Sequence, residues 1–249
     1  MTLYNIKRIG TKRKIVWNIG RNRGIREYTE RIGNFIKHIE TLLKKKEKIR
    51  ILDIGCGYGK VLIELRKKYG NKVEIYGMNL EREWNSNIIE KFALINRIFS
   101  KKELRNNLPK IKIGDAGRKI PYPNNYFDII ISVASMQYIK NKAKAIEEIN
   151  RVMSKCGIAI IELQEYKKKY SSKYKNLFEI INKNEIINSI DWLRRFGNIK
   201  IEKGFREWHN LIMKKSKKLD LHIKLINSTD VKQIDKNYTG TKSIFKVEK

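Results

Sequence analysis

The sequence predicts a doubly wound α/β fold, a mostly parallel, seven-stranded-type sheet with helices on both faces. Three observations predict it. Short apolar segments alternate with amphipathic segments of helical period over roughly residues 26–163, the pattern of parallel strands joined by right-handed crossovers. The apolar segments are almost continuous in Ile, Val and Leu, as strands covered on both faces must be. Three glycines at alternate positions, Gly55, Gly57 and Gly59, stand between the first strand and the next helix. That is where an open α/β sheet binds ligands.

Taken in order, Tyr28, Ile32, Phe35, Ile36, Ile39, Leu42 and Leu43 recur at helical spacing and predict one amphipathic helix over 26–48. Arg50–Ile54 reads as a short buried strand, and Lys60–Tyr69 as a helix stopped by Gly70-Asn71. Val73–Met78 is a second strand, followed by helical pattern over 84–106. Ile111–Ile113 and Phe127–Val133 are the third and fourth strands, 141–153 a helix, and Ile158–Leu163 the fifth strand. Residues 165–195 carry basic, helix-like pattern and are expected to form an insertion on the substrate side. Ile199–Glu202 and His209–Met213 suit a closing antiparallel hairpin, with Leu221–Ile226 and Ser243–Val247 as further strand-like runs. Either the hairpin or Ser243–Val247 supplies the last strand. The expected organisation is a basic arm (1–25), one α/β domain (26–216) and a C-terminal extension or last strand (217–249).

Of 249 residues, 41% are hydrophobic and 33% charged, within the range of a globular domain. No apolar run reaches the roughly 18 residues of a membrane helix. Cys56 and Cys156 both fall at strand–loop junctions expected to be buried. Two cysteines and three histidines are too few and too scattered for a zinc site, so no metal is expected. Reduced thiols suit a cytoplasmic protein.

The net charge is +30, and it is uneven. Residues 1–50 hold 15 basic and 4 acidic side chains, 51–163 hold 20 and 12, and 164–249 hold 21 and 10. AT-rich codon usage explains abundant lysine but not scarce acid. An excess concentrated in the flanks attracts polyanions, so a nucleic acid, RNA above all, is the expected partner. Residues 1–26 hold eight Lys/Arg and no acid. A mitochondrial leader has that charge, but the stretch lacks serine and contains the strand-like Ile15–Ile19 run.

The segment Ile51-Leu52-Asp53-Ile54-Gly55-Cys56-Gly57-Tyr58-Gly59 decides between ligands. A dinucleotide fingerprint needs a glycine where Lys60 stands, and a P-loop needs Ser or Thr where Val61 stands. Neither phosphate motif fits. An acid at the strand end suits a ligand with a cationic amino-acid end. The segment resembles the first motif of class I S-adenosylmethionine-dependent methyltransferases, and the similarity runs over about residues 49–163. The resemblance implies S-adenosylmethionine as cofactor, with Asp53, Gly55, Cys56, Gly57 and Gly59 around its methionine and ribose parts. It places Asn79 where the family usually has a ribose-binding acid, with Glu81 as a compensating carboxylate two residues on. It assigns Asp115 and Ala116 to the adenine and Ser132 to the cofactor edge of the fourth strand, with Asp128 structural. Glu147–Gly157 matches the family's crossover into strand five.

No catalytic residue is identified. The amino-methyltransferase Asn/Asp-Pro-Pro-Tyr/Phe run, a Pro-Cys nucleophile and a Lys-Asp-Lys-Glu set are all absent. Alignment of an already activated methyl group does not demand them. Gln137 and Tyr138 are candidate acceptor contacts. Tyr166, Tyr170, Tyr174, Trp192 and Trp208, among basic residues, suit base stacking. RNA is the leading acceptor; a small molecule, or a catalytically silent subunit of a ribonucleoprotein, are the alternatives.

Overall fold

The computed structural model describes residues 3–7, 14–18, 23–80, 82, 85–139, 141–164, 166–167, 175–176, 179–182, 185–187, 193, 197–203, 208–215, 225–229 and 244–247. Its centre is a seven-stranded sheet. The strands are β1 (Ile49–Ile54), β2 (Val73–Asn79), β3 (Lys110–Ile113), β4 (Phe127–Ser132), β5 (Met153–Gln164), β6 (Gly197–Lys203) and β7 (Trp208–Lys215). Their order is β6-β7-β5-β4-β1-β2-β3. Only β7 runs antiparallel to its neighbours. The strand order reverses between β1 and β4, so the crevice over their carboxyl ends is the expected ligand site.

Helices α1 (Ile25–Ile32), α2 (Phe35–Leu43), α3 (Lys60–Tyr69), α4 (Ser86–Ile95), α5 (Lys101–Asn107) and α6 (Lys142–Val152) cover the sheet. Strand pleating sends alternate residues to opposite faces. Ile49, Ile51, Ile75, Ile129 and Ile131 pack with Tyr28, Ile32, Phe35 and Ile39 of α1 and α2 and Leu62 of α3. Leu52, Ile54, Met78, Ile130 and Ile161 pack with Ala145, Ile146 and Ile149 of α6. A third cluster joins Tyr58 and Ile63 to Ile89, Phe92 and Leu104 of α4 and α5. Among the described residues no helix is long and apolar enough to cross a membrane.

Several expectations are corrected. The single helix over 26–48 is two helices, because Gly33 takes a left-handed φ of 76° and the Asn34 side chain accepts the Lys37 N–H to start α2. The 84–106 pattern also breaks, at Asn96–Ser100, where Arg97 has φ 51° and Ser100 with Glu103 caps α5. Where 165–195 is described it holds short strands, Glu179–Asn182 and Glu185–Ile187 among them, instead of a long helix. Ile180, Ile181, Ile186 and Ile187 pair across that hairpin, and β-branched residues suit strands better than helices. The closing hairpin is β6 and β7, with all seven residues of β6 in register. Ile244–Val247 pairs instead with Glu179–Asn182 and Leu225–Thr229. Cys56 is buried, but Cys156 is exposed.

Asp128 is structural, as expected. It opens β4, ion-pairs with Lys46 and accepts the Arg50 N–H at 2.8 Å. That end of the sheet is opposite the glycine loop.

Candidate functional site

The carboxyl ends of β1, β2 and β3 are laced together by backbone and amide groups. The Gly55 N–H donates to Met78 O at 2.7 Å, and the Gly114 N–H to Asn79 O at 2.8 Å. Gly55 has φ 75° and sits so close to the loop after β4 that a Cβ there would lie 2.2 Å from Ser135 Cβ. Only glycine fits. Across the crevice, a Cβ on Gly77 would stand 2.5 Å from Cys56 Sγ. Gly77 lets β2 accept the loop's cysteine. Gly57 and Gly59 also have left-handed backbone, and Gly59 opens α3. Tyr58, between them, stacks on Phe92 at 5.3 Å and anchors the loop to α4.

Asn79 is buried and bonds Gly57 twice: its Oδ1 accepts the Gly57 N–H at 2.9 Å and its Nδ2 donates to Gly57 O at 3.2 Å. Asn79, expected at the ribose, is thus also a clasp on the glycine loop. An amide offers a donor beside an acceptor, matching the N–H and C=O of one residue; a carboxylate cannot donate. Glu81, and the Gln137 side chain, lie outside the described residues.

Ser132, expected at the cofactor edge of β4, is fully buried. Its Oγ lies 3.1 Å from Ile54 O and 2.5 Å from Ser135 Oγ, while Ser135 Oγ lies 2.7 Å from Ile54 O. The two serines fasten the end of β4 to the end of β1. Asp115 stands beside β2 through the Gly114–Asn79 bond. Its Oδ1 accepts the Gly117 N–H at 2.8 Å, its side chain remains partly exposed, and Ala116 beneath it is buried. Leu80 and Ile113, at the adjoining ends of β2 and β3, are exposed large hydrophobics. Apolar groups beside a carboxylate at the crevice suit an adenine ring and its amino group.

Helix α1 brings two polar groups to this edge, one turn apart. Tyr28 Oη donates to Asp53 Oδ2 at 2.7 Å. Arg31 Nη2 stands 2.8 Å from Glu162 Oε1 and 2.9 Å from Oε2. Glu162 Oε2 also accepts the N–H of Ala134 at 2.7 Å. Ala134 has φ 53°, a left-handed conformation that costs a non-glycine residue about 1–2 kcal/mol; the charge-assisted bond offsets it. Holding Ala134 there sets Ser135 against Gly55.

Asp53 differs. Its carboxyl is fully buried, and Oδ1 has no hydrogen-bond partner among the described residues. Burial pushes its pKa up to about 7, against the lowering effect of the Tyr28 hydrogen bond. Burial likewise pushes the Tyr28 phenol and the Cys56 thiol up. At the start of α6, burial draws Lys142 down to about 7, and its Nζ donates to Ile139 O at 3.0 Å.

An orphaned buried carboxylate oxygen asks for a cation, and a cradle without Cβ atoms asks for a close-packed ligand. The methionine ammonium and sulfonium–ribose bend of S-adenosylmethionine supply both, so these residues fit it. Asp53, Gly55, Gly57, Gly59, Asp115 and Ala116 come together on one edge. Asn79 and Ser132 support that edge from beneath, with Cys56 packed against Gly77.

A family model described as "Methyltransferase domain" matches residues 45–215. The chain belongs to this methyltransferase family. The fold is that of the class I S-adenosylmethionine-dependent enzymes, as expected. A sterol 4-C-methyltransferase of Caenorhabditis elegans is 31% identical over 147 residues, covering 57% of this chain and 40% of that protein. Ajmaline N-methyltransferase of Rauvolfia serpentina is 29% identical, covering 47% of this chain and 36% of its own length. A mitochondrial arginine-hydroxylase of Rattus norvegicus is 28% identical over 109 residues, 44% of this chain and 27% of its own. The chain thus spans less than half the length of each of these relatives.

Tyr28, Gly77, Ser135 and Glu162 were not singled out by sequence. Glu162 carried a signal, a lone acid in an otherwise apolar strand. Tyr28 read as one more member of an apolar stripe, because spacing does not reveal where a phenol's oxygen points.

Proposed function

We propose that this chain transfers the methyl group of S-adenosylmethionine to a small organic acceptor. Asp53 carries the cofactor half of that reading: a fully buried carboxylate with one oxygen free of partners among the described residues, directly before a glycine cradle. When bound, the cofactor supplies an activated methyl group on a sulfonium. The protein binds the ammonium at Asp53, orients the ribose against Gly55–Gly59 and holds the adenine by Asp115. Alignment and exclusion of water then supply most of the acceleration. Support for a small acceptor comes from the relatives, whose names specify a sterol and an alkaloid.

A second reading, RNA as acceptor, draws on the +30 charge and its concentration outside residues 51–163. Segments 1–25 and 164–218 would then grip phosphates. One experiment separates them. The purified chain is incubated with methyl-tritiated S-adenosylmethionine and cell extract, and the label is followed into solvent-soluble small molecules, RNA and protein. Label in the small-molecule fraction is the expected result. Label in RNA, lost steeply as salt rises, overturns it in favour of the second reading. Label in no fraction, with no binding of the cofactor product, leaves a silent scaffold.

A further inference from the structure

We propose that Tyr28 is a positioning residue for the cofactor, holding Asp53 Oδ2 so that Oδ1 alone receives the ligand's ammonium. The inference rests on the cofactor reading above and extends it to a helix outside the cradle. Tyr28 is itself held firmly. Its ring is buried 6.1 Å from Phe35. The Ile25 N–H at the start of α1 donates to Glu64 of α3 at 2.7 Å, and the Gly24 N–H to Glu27 at 2.7 Å. One turn beyond Tyr28, Arg31 is paired with Glu162 of β5. Helix α1 has only eight residues, too few for stability of its own. It is pinned to three carboxylates, on α3, β1 and β5, and the one on β1 keeps an oxygen in reserve.

What surrounds Asp53 makes the role legible. Its strand neighbours Gly77 and Ile131 offer no polar side chain. The titratable groups facing it are Tyr28 from α1 and Cys56 from the glycine loop, with Arg23 acting on Tyr28 from before α1. Tyr28 is thus the donor that favours the ionised carboxylate, and the ionised carboxylate is the form an ammonium needs. A proton on Asp53 competes with the ligand. Cofactor affinity should fall as pH drops through about 7, where Asp53 takes up its proton. Losing the phenol should move that fall to higher pH.

The test is calorimetric titration from pH 5.5 to 8.5 with two ligands. S-adenosylhomocysteine carries the ammonium; methylthioadenosine lacks the amino-acid end. Tyr28→Phe should weaken S-adenosylhomocysteine about tenfold at pH 7 and shift its pH midpoint up by about one unit, the value of one charge-assisted hydrogen bond. Methylthioadenosine should bind both proteins alike. Asp53→Asn should abolish the pH dependence, and adding Tyr28→Phe to it should change nothing further. Should Tyr28→Phe unfold, 3-fluorotyrosine at position 28, a more acidic phenol of nearly the same shape and hence a stronger donor, should move the midpoint for S-adenosylhomocysteine to lower pH, and an unmoved midpoint overturns the proposal. Equal losses for both ligands with an unmoved midpoint reduce Tyr28 to a space-filling residue and overturn the proposal. If the unaltered chain binds neither ligand, the cofactor reading falls, and this inference with it.

Discussion

Asp53 and Glu162 occupy matched corners of the sheet's carboxyl edge, each fully buried and each met by helix α1, yet they are treated oppositely. Glu162 receives a guanidinium and a peptide N–H. Asp53 receives one neutral phenol, and its second oxygen finds no partner among the described residues. The first carboxylate meets a cation within the fold, although its Oε1 completes no hydrogen bond among the described residues, and it acts as a strut for Ala134. The second is left incomplete, at a cost in stability that a cationic ligand would remove. A buried acid that meets a cation within the fold belongs to architecture; one that meets only a neutral donor suits binding.

The contrast is sharpest under substitution. Arg31→Met strands the Glu162 charge and should cost about 3–5 kcal/mol in denaturant unfolding at pH 7; a loss below 1 kcal/mol would erase the distinction. Asp53→Asn should act in reverse on the ligand-free protein. The Asp53 pKa is raised in the fold, so the carboxyl favours folding below its ordinary value of 3.8, and that advantage disappears as pH rises through about 7. The asparagine variant should therefore match the parent at pH 4 and exceed it at pH 8, by no more than about 4 kcal/mol. Unfolding curves at the two pH values check this, and equal differences at both would refute it.

Gly55→Ala probes the cradle between the two corners. Its left-handed backbone and the approach of Ser135 should cost about 2 kcal/mol and eliminate measurable binding of S-adenosylhomocysteine. Combining it with Ser135→Gly should recover part of the stability lost. The smallest effect is expected from Asn79→Asp, which sets a carboxylate against Gly57 O in place of a donor. About 1 kcal/mol should be lost in urea unfolding, and an unchanged midpoint would argue against the clasp.

The central sheet was legible because burial on both faces leaves runs such as Ile158–Ile161 with no polar residue. The glycine loop was legible because close approach and left-handed backbone leave few options but glycine. Helix breaks were harder: Gly33 and Asn34 lie within an apolar periodicity that continues in phase across them, so α1 and α2 read as one. The residues around 179–187 carry helix-like charge spacing but β-branched cores, and pairing partners far along the chain decided the outcome. In the site, position gave Asn79 the role of the family's acid, whereas its amide found a closer match in a single peptide unit. Tyr28 and Ser135 act through contacts to residues 25 and 81 positions away, a distance over which local pattern carries no information.

The serine pair at the end of β4 has a consequence for how this edge can drift. Two hydroxyl protons serve three contacts, so Ile54 O can accept from Ser132, from Ser135 or from both, and a serine that does not donate to it can donate to its companion. The carbonyl never depends on one particular residue. Redundancy of this kind lets one partner be replaced in a lineage while the junction of the two central strands survives, a tolerance that the single-donor arrangement at Asp53 does not enjoy.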